Sequence, residues 1–180
     1  MAENLKETTV SKNTIHHGSF LDLHRDQVRL PNGKIANREY LLHPGAAAVV
    51  PLLDDGRIVM VKQFRYPTGQ IILEIPAGKL DAGEEPETCA RRELSEEIGY
   101  EPGELIYLSS IWTTPGFTNE VIHLFLAKQL RPFRREPDPD EFLATVTMTK
   151  EEVLQHLDTA AIVDAKTVVA LSYVERRNLW

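Results

Sequence analysis

Apolar and polar residues alternate along the first third of the chain, in segments separated by turn-forming residues. Pro31-Asn32-Gly33 divides two such segments, and Asp54-Asp55-Gly56 divides the apolar run Ala47–Leu53 from Arg57–Phe64. Asn-Gly and Asp-Gly pairs favour tight turns between antiparallel strands, because these residues tolerate a positive φ. We therefore predict a β-hairpin at each of the two turns.

Strand patterns continue through the middle of the chain, interrupted by one helix. The apolar run Ile71–Ile75 ends at Pro76-Ala77-Gly78, and Pro86 follows where the first turn of a helix tolerates proline. The proline-broken segment Arg131–Glu141 predicts a loop. Further strands are predicted at Leu105–Ile111, Val121–Leu126 and Leu143–Met148.

Two helices are predicted in the last part of the chain. Thr149 and Glu152 form a capping box for a helix that continues to about Leu157. Apolar residues at helical spacing predict a last helix from about Ala165 to Arg177. The pattern contains no internal repeat and no linker. It indicates one mixed α/β domain preceded by a β-rich N-terminal segment.

Composition and charge exclude several classes of protein. The 180 residues are 42% hydrophobic and 26% charged, which are ordinary values for one globular domain. The longest nearly apolar run, Ala46–Leu53, is too short to cross a membrane, and the polar segment Met1–Asn13 lacks the apolar core of a secretory signal. A single cysteine, Cys89, cannot form an internal disulfide, so we expect a cytoplasmic protein. The net charge of −7 argues against a nucleic-acid binder, which requires clustered lysine and arginine.

The acidic charge is concentrated in one segment. Between residues 78 and 104 nine acidic and three basic residues carry almost the whole net charge. Glu93 and Glu97 are four residues apart, where like charges on a helix repel each other. On a helical wheel both glutamates flank the buried stripe instead of opposing it. That stripe contains Ala90, Leu94 and Ile98.

This arrangement requires a cation close to the glutamates. Arg92 is four residues before Glu96 and is expected to pair with that carboxylate. Glu93 and Glu97 then remain for a metal ion. Carboxylate ligands with no histidine or cysteine among them select Mg²⁺ or Mn²⁺ over zinc.

Gly78, Glu84 and the run Arg92–Tyr100 lie at fixed spacing within 23 residues. This spacing resembles the Nudix box, the signature of hydrolases that cleave nucleoside diphosphates linked to another group. All of the fixed charged and glycine positions of the box are met. The one departure is Tyr100, where the family usually has an aliphatic residue, and we interpret it as a packing substitution.

Segments outside the box are similar to the branch of that family that contains ADP-ribose pyrophosphatases and related nucleoside-diphosphate-sugar hydrolases. These segments are Arg38-Glu39, Gln63-Phe64-Arg65, Glu74-Ile75-Pro76-Ala77-Gly78 and the loop around Pro115-Gly116. The resemblance implies a Nudix α/β/α sandwich with a mixed sheet over residues 43–180. It also implies a small N-terminal antiparallel β-segment, residues 1–42, which in this family is commonly exchanged across a homodimer.

The function implied by the resemblance is metal-dependent hydrolysis of nucleoside-diphosphate sugars such as ADP-ribose, to a nucleoside monophosphate and a sugar phosphate. A nucleoside-triphosphate or RNA 5′-end pyrophosphohydrolase uses the same box and is one alternative. A non-catalytic Nudix ligand sensor is another. The Pro115-Gly116 loop and the long N-terminal β-segment favour the sugar branch, the acidic charge disfavours RNA, and the intact box acids disfavour the sensor.

The resemblance also assigns metal ligands. It implies that Glu93 and Glu97 bind Mg²⁺ or Mn²⁺ directly, with Glu96 and the Ala77 carbonyl as further ligands. For Glu96, a surface ion pair with Arg92 is an alternative. Another box residue, Glu84, is implied to hold the loop and helix in shape together with that arginine.

The general base in this branch is usually a glutamate on a separate mobile loop, which here corresponds to Arg131–Glu141. Glu141 immediately precedes the next predicted strand and is our candidate, so that it completes a catalytic set with the three box glutamates. Asp138 and Asp140 are interpreted as turn residues beside prolines. Some relatives have a second glutamate where this chain has Pro139.

Substrate contacts follow from the same resemblance. Arg65 is implied to bind a phosphate through its planar guanidinium. Arg38 is implied to contact the base or a phosphate, and Glu120 the sugar hydroxyls. For Arg38, an ion pair with Glu39 or another acid is an alternative. Cys89 is interpreted as a small packing residue.

Overall fold

The computed structural model describes residues 5–136 and 141–180. Its contacts divide the chain into two compact units. The first consists of the chain up to Pro44 together with Trp112–Glu120, and the second of Gly45–Ile111 and Val121–Trp180. None of the helices in the described residues has the length and apolar content needed to span a bilayer.

The first unit contains a four-stranded antiparallel sheet in which β3 pairs with all three other strands. Its strands are β1 (Thr8–Ser11), β2 (Thr14–His17), β3 (Asp22–Arg29) and β4 (Ile35–Leu42). The hairpin predicted at Pro31-Asn32-Gly33 is confirmed, because β3 and β4 pair along their whole length. Gly33 supplies the positive φ, +83°, that this turn needs.

The second unit contains two further sheets. One has the order β8-β5-β10-β9, with β5 and β10 parallel, and the other has the order β11-β6-β7 and is antiparallel. Their strands are β5 (Ala46–Pro51), β6 (Ile58–Arg65), β7 (Gln70–Glu74), β8 (Ala77–Lys79), β9 (Tyr100–Trp112), β10 (Val121–Pro132) and β11 (Leu143–Met148). The predicted strands are all present, although β9 starts at Tyr100 instead of Leu105 and β10 continues past Leu126.

The hairpin predicted at Asp54-Asp55-Gly56 is wrong in its pairing. The turn itself forms, because Gly56 adopts a φ of +85° and donates to the Leu53 carbonyl over 2.9 Å. Its two strands then join different sheets. In the described residues they are linked by the bridge between Leu52 and Ile58 and, next to the turn, by the Leu53 N–H, which donates to the Arg57 carbonyl over 2.8 Å. The reason is that β10 pairs with β5 along one edge and β8 pairs with Ala46–Ala48 along the other, while β6 pairs with β7 and β11.

Three helices were predicted, and the described residues contain three α-helices. They are α1 (Pro86–Glu93), α2 (Lys150–Asp158) and α3 (Ala165–Arg176). Thr149 and Glu152 form the predicted capping box of α2. After α1 the chain continues into a wider π-helical turn, Leu94–Ile98. Gly99 ends this turn at a φ of +75°, where its N–H donates to the Leu94 carbonyl.

The central strands of the second unit are buried on both faces. Along β5, Ala46, Ala48 and Val50 pack in one core with residues of α3, and Ala47 and Val49 pack in a second core with residues of α1. Side chains of a strand point alternately to opposite faces, so one strand can supply two cores. The helices therefore cover two faces of a mixed sheet, as the predicted α/β/α sandwich requires.

Candidate active site

The acidic segment is buried because its apolar stripe packs on the central sheet. Ala90 and Leu94 are fully buried in one core with Ala47 and Val49 of β5. The two glutamates that flank this stripe are drawn in with it, and Glu93 is only 6% exposed. Glu97 is 7% exposed. Their burial confirms the helical-wheel prediction that both glutamates flank the buried stripe. Glu97 lies in the π-helical turn, a geometry that is frequent at functional sites.

Strand β8 lies directly beside these carboxylates. The Ala77 N–H donates to Glu97 Oε2 over 3.2 Å. At the next residue, Gly78, an added Cβ would lie 1.6 Å from Glu93 Oε1. Only glycine therefore permits the Glu93 carboxylate to rest on the backbone of β8. The structure thus brings three of the predicted metal-site residues together, namely Ala77, Glu93 and Glu97.

Arg92 holds the acidic segment by contacts on all sides of its guanidinium. Nε and Nη2 donate to the two oxygens of Glu84 over 3.0 and 2.9 Å, and Nη2 also donates to the Lys79 carbonyl. Nη1 donates to Glu96 over 3.1 Å, as predicted, and to Glu93 over 2.7 Å. The expectation that Arg92 pairs with Glu96 alone was wrong, because the burial of Glu93 keeps its carboxylate within reach of Arg92. Arg92 therefore orients two of the box acids and ties them to Glu84.

Burial and mutual repulsion disfavour the charged forms of the two innermost acids. Burial is the largest cause that raises the pKa of Glu93 to about 7, with the negative charges of Glu141 and Glu96 acting in the same direction and Arg92 in the opposite one. Burial also raises the pKa of Glu97 well above its ordinary value, and Glu93 and Glu141 add to the increase. Such a cluster is stabilised by additional positive charge.

Glu141 lines the same cleft as two of the box glutamates. This cleft of about 520 Å³ lies in the second unit and brings together Lys62, Phe64, Ile71, Glu96, Glu97, Arg134, Glu141, Phe142, Leu143 and Ala144. The loop that precedes Glu141 is fixed to the acidic segment at its start, where the Phe133 N–H donates to the Gly99 carbonyl over 2.9 Å and the Arg135 N–H to the Ser95 carbonyl over 3.1 Å. Asp138, Pro139 and Asp140 lie outside the described residues.

Arg65 belongs to a buried ionic group of the second unit. Its Nε and Nη2 donate to the two oxygens of Glu74 over 2.8 and 2.9 Å. Glu74 is 1% exposed and also accepts a bond from Lys166 Nζ. Among the described residues the hydrogen bonds of Arg65 to protein side chains use Nε and Nη2, and none uses Nη1.

Arg38 and Glu120, two predicted substrate contacts, belong to the first unit. Arg38 pairs with Glu7, with Nε donating over 3.0 Å, so it makes an ion pair with an acid other than Glu39. Glu120 accepts a bond from Thr113 Oγ1 over 2.7 Å and lies 3.5 Å from Nε2 of His43. Both side chains have protein partners in this arrangement.

Sequence reasoning missed two cationic residues of the cleft, Lys62 and Arg134. Lys62 is two residues before Phe64 on β6, so the two side chains lie on the same face of the strand. That spacing could have indicated that both line the cleft. For Arg134, in an irregular segment, the sequence carries no comparable signal. Cys89 is fully buried, and burial raises the pKa of its thiol to about 12, which confirms its interpretation as a packing residue.

The donor set fits a divalent cation by its chemistry. In the described residues no three acidic, histidine or cysteine side chains already form a metal-binding group. The buried carboxylates of Glu93 and Glu97 nevertheless carry more negative charge than Arg92 neutralises, and hard oxygen donors of this kind bind Mg²⁺ or Mn²⁺. The absence of a side chain at Gly78 lets the Glu93 carboxylate lie against the backbone of β8.

A pH-dependent stability follows from the raised pKa of Glu93. Because this pKa is about 7 in the folded protein and 4.5 ordinarily, the folded state binds more protons between these values, and the metal-free protein loses stability as the pH rises through them. We expect Glu93→Gln in EDTA to be more stable than the wild type at pH 8, by roughly 1 to 3 kcal/mol, and by less at pH 5. Chemical denaturation at both pH values measures this, with the exposed Glu151→Gln as control. Equal stability of wild type and Glu93→Gln at pH 8 would contradict the raised pKa of Glu93.

Two family models match this chain. Residues 42–171 match the model described as NUDIX domain, and residues 7–41 match the nucleoside diphosphate sugar hydrolase N-terminal domain. A solved structure described as that of an ADP compounds hydrolase is similar in fold, with a TM-score of 0.86, 24% identity, and coverage of 95% of this chain and 93% of that one.

Curated relatives match over nearly the whole chain. The ADP-ribose pyrophosphatase of Bacillus subtilis (strain 168) is 45% identical, covering 98% of this chain and 96% of the relative. The methanol dehydrogenase activator of Bacillus methanolicus is 42% identical over 97% and 96%. The GDP-mannose pyrophosphatase of Escherichia coli O1:K1 / APEC is 31% identical over 97% and 98%. With a matching model over residues 42–171 and the box geometry described above, this chain belongs to the Nudix family.

Proposed function

We propose that this protein is a metal-dependent hydrolase that cleaves the pyrophosphate of nucleoside-diphosphate sugars of the ADP-ribose type, to a nucleoside monophosphate and a sugar phosphate. The observation that carries the proposal is the cleft in which Glu141 meets Glu96 and Glu97. The likeness to the ADP-ribose and GDP-mannose pyrophosphatases supports this substrate class. The proposal includes a cytoplasmic location, which the single cysteine favours.

The reaction requires charge neutralisation, an activated water and correct positioning, because a pyrophosphate is an anion that repels nucleophiles. Glu93 and Glu97, with Glu96 and the Ala77 carbonyl, would hold Mg²⁺ or Mn²⁺. When bound, such an ion neutralises phosphate charge and lowers the pKa of a water molecule. Arg92 and Gly78 keep the carboxylates in place for this role.

Two further residues of the second unit act on the substrate in this proposal. Glu141 accepts the proton of the attacking water, a role supported by its place in the cleft beside the box acids. Arg65 binds a phosphate through Nη1, while its other nitrogens remain on Glu74. Arg38 and Glu120 of the first unit are proposed as contacts to the base or a phosphate and to the sugar hydroxyls, respectively.

Residues 1–42 are proposed to form the dimerising segment of a homodimer, with the Nudix domain over residues 43–180. Support comes from the apolar side chains that the first unit leaves exposed, since such surfaces are common at interfaces. They are Leu5, Val10, Ile15, Phe20, Ile35 and Leu42.

Sedimentation at micromolar concentration tests the homodimer. We expect a particle of twice the 20.4 kDa chain mass, because the exposed apolar side chains of the first unit would be covered in the dimer. The measurement is repeated over a concentration series to identify dissociation. A monomer throughout the micromolar range would refute this part of the proposal.

A product assay tests the function. The panel contains ADP-ribose, GDP-mannose, ADP-glucose, UDP-glucose, deoxynucleoside triphosphates and 5′-triphosphate RNA, each with Mg²⁺, with Mn²⁺ and with chelator. We expect metal-dependent release of a nucleoside monophosphate and a sugar phosphate. Turnover confined to triphosphates or RNA would keep the Nudix chemistry but overturn the sugar branch. Binding without turnover of any compound would favour a ligand sensor.

Replacement of the proposed base separates catalysis from binding. We expect Glu141→Gln to keep the fold and the substrate affinity but to lower kcat by about 100-fold, because the amide cannot accept the proton of water. Steady-state kinetics and circular dichroism measure the two properties. The matched control is Glu151→Gln, the same change at an exposed position of α2. Near-normal turnover of Glu141→Gln would refute the assignment.

A further inference from the structure

The start of α3 is joined to the end of β7 by a buried ionic group. Glu74, at the end of β7, accepts bonds from both Arg65 and Lys166. Lys166 is 8% exposed and also donates to Asp164 over 3.0 Å. The group contains two basic and two acidic side chains, so its formal charge is zero. A lysine and a glutamate are rarely buried this deeply unless they are paired.

A second connection runs from the same helix to the next residue of the strand. Asp164 caps α3 by accepting bonds from the N–H and the hydroxyl of Thr167, over 3.0 and 2.6 Å. Thr167 Oγ1 in turn accepts the Ile75 N–H over 3.0 Å. Two consecutive residues of the chain, Glu74 and Ile75, are therefore held by α3. They directly precede Pro76-Ala77-Gly78, the segment on which Glu97 and Glu93 rest.

The net charge of this ionic group affects the positive potential at the guanidinium of Arg65. Lys166 supplies half of the positive charge that faces the Glu74 carboxylate. Without it the group carries a net charge of −1, and Arg65 is left as the partner of a carboxylate that is 1% exposed. Removal of one partner from a buried ionic group leaves an uncompensated charge, and here that negative charge lies beside Arg65. Arg65 then has less positive potential to offer a phosphate at Nη1.

We propose that Lys166 is a positioning residue of the hydrolase. Through Glu74 it balances the charge of the buried group, so that Arg65 keeps Nη1 and its positive potential for a substrate phosphate. With Thr167 it also fixes the strand end before Ala77 and Gly78. This inference rests on the proposed function, in which Arg65 is the phosphate-binding residue.

Steady-state kinetics with ADP-ribose give the first test. We expect Lys166→Met to raise KM by about tenfold or more and to change kcat by less than about threefold, because the lost interaction affects bound substrate and transition state alike. Lys166→Arg keeps the charge and is expected to restore KM to within about threefold of the wild type. An unchanged KM in Lys166→Met, or a loss confined to kcat, would overturn the proposal. The control is Lys150→Met, which removes a more exposed ion pair with Glu175 at the other end of α3.

A double-mutant cycle tests whether Lys166 acts through Arg65. If it does, Lys166→Met adds less than about twofold to the KM of Arg65→Met, because the residue through which it acts is already gone. Independent roles would multiply the two single effects, and that result would overturn the proposal. Where Lys166→Met does not fold, Lys166→Gln takes its place, since its amide can still donate to Glu74.

Binding of inorganic pyrophosphate in EDTA separates this inference from the proposed function. Calorimetry is expected to show about tenfold weaker binding by Lys166→Met than by the wild type, without metal or turnover. Equal affinities, or no binding by the wild type, would overturn the role of Lys166. A wild type that binds pyrophosphate but hydrolyses no compound of the panel would instead refute the proposed function. The role of Lys166 would then be decided by the pyrophosphate affinities of wild type and Lys166→Met.

Discussion

The site depends on the packing of one apolar stripe against the central sheet. Ala90 and Leu94 are fully buried against β5, and Glu93 and Glu97, which flank them on the helical wheel, are buried with them. The hydrophobic contact therefore supplies the free energy that keeps two carboxylates out of water. The raised pKa values of both acids express that cost.

Specific partners in the rest of the site contact the two buried carboxylates and offset part of the cost of their burial. Arg92 ties Glu93 to Glu84, Gly78 removes the side chain that would displace it, and the Ala77 N–H meets Glu97. These contacts fix the carboxylates in orientation but leave a surplus of negative charge. A divalent cation is the natural complement of that surplus, and the same ion is what pyrophosphate hydrolysis requires.

A second buried ionic group differs from the first in its charge balance. It is formed by Arg65, Glu74, Lys166 and Asp164. Its charges balance internally, so it needs no external ion. Each member is held by at least one other, and α3 thereby controls the strand end that precedes Gly78. The first group thus carries surplus negative charge, whereas the formal charges of the second group balance.

Local sequence determined the elements, the acidic stripe and the identity of the box residues, because helix periodicity, turn residues and fixed spacing act over a few neighbouring positions. It did not determine the partner of β5, since both of its edges were taken by strands distant in sequence. Nor did it determine the contact of Arg92 with Glu93, the meeting of Glu141 with the box acids, or the pairing of Lys166 with Glu74. The last two contacts join residues on separate elements, and the first depends on the burial that holds Glu93 beside Arg92. All three are set by how helices and sheets pack, which only the tertiary structure decides.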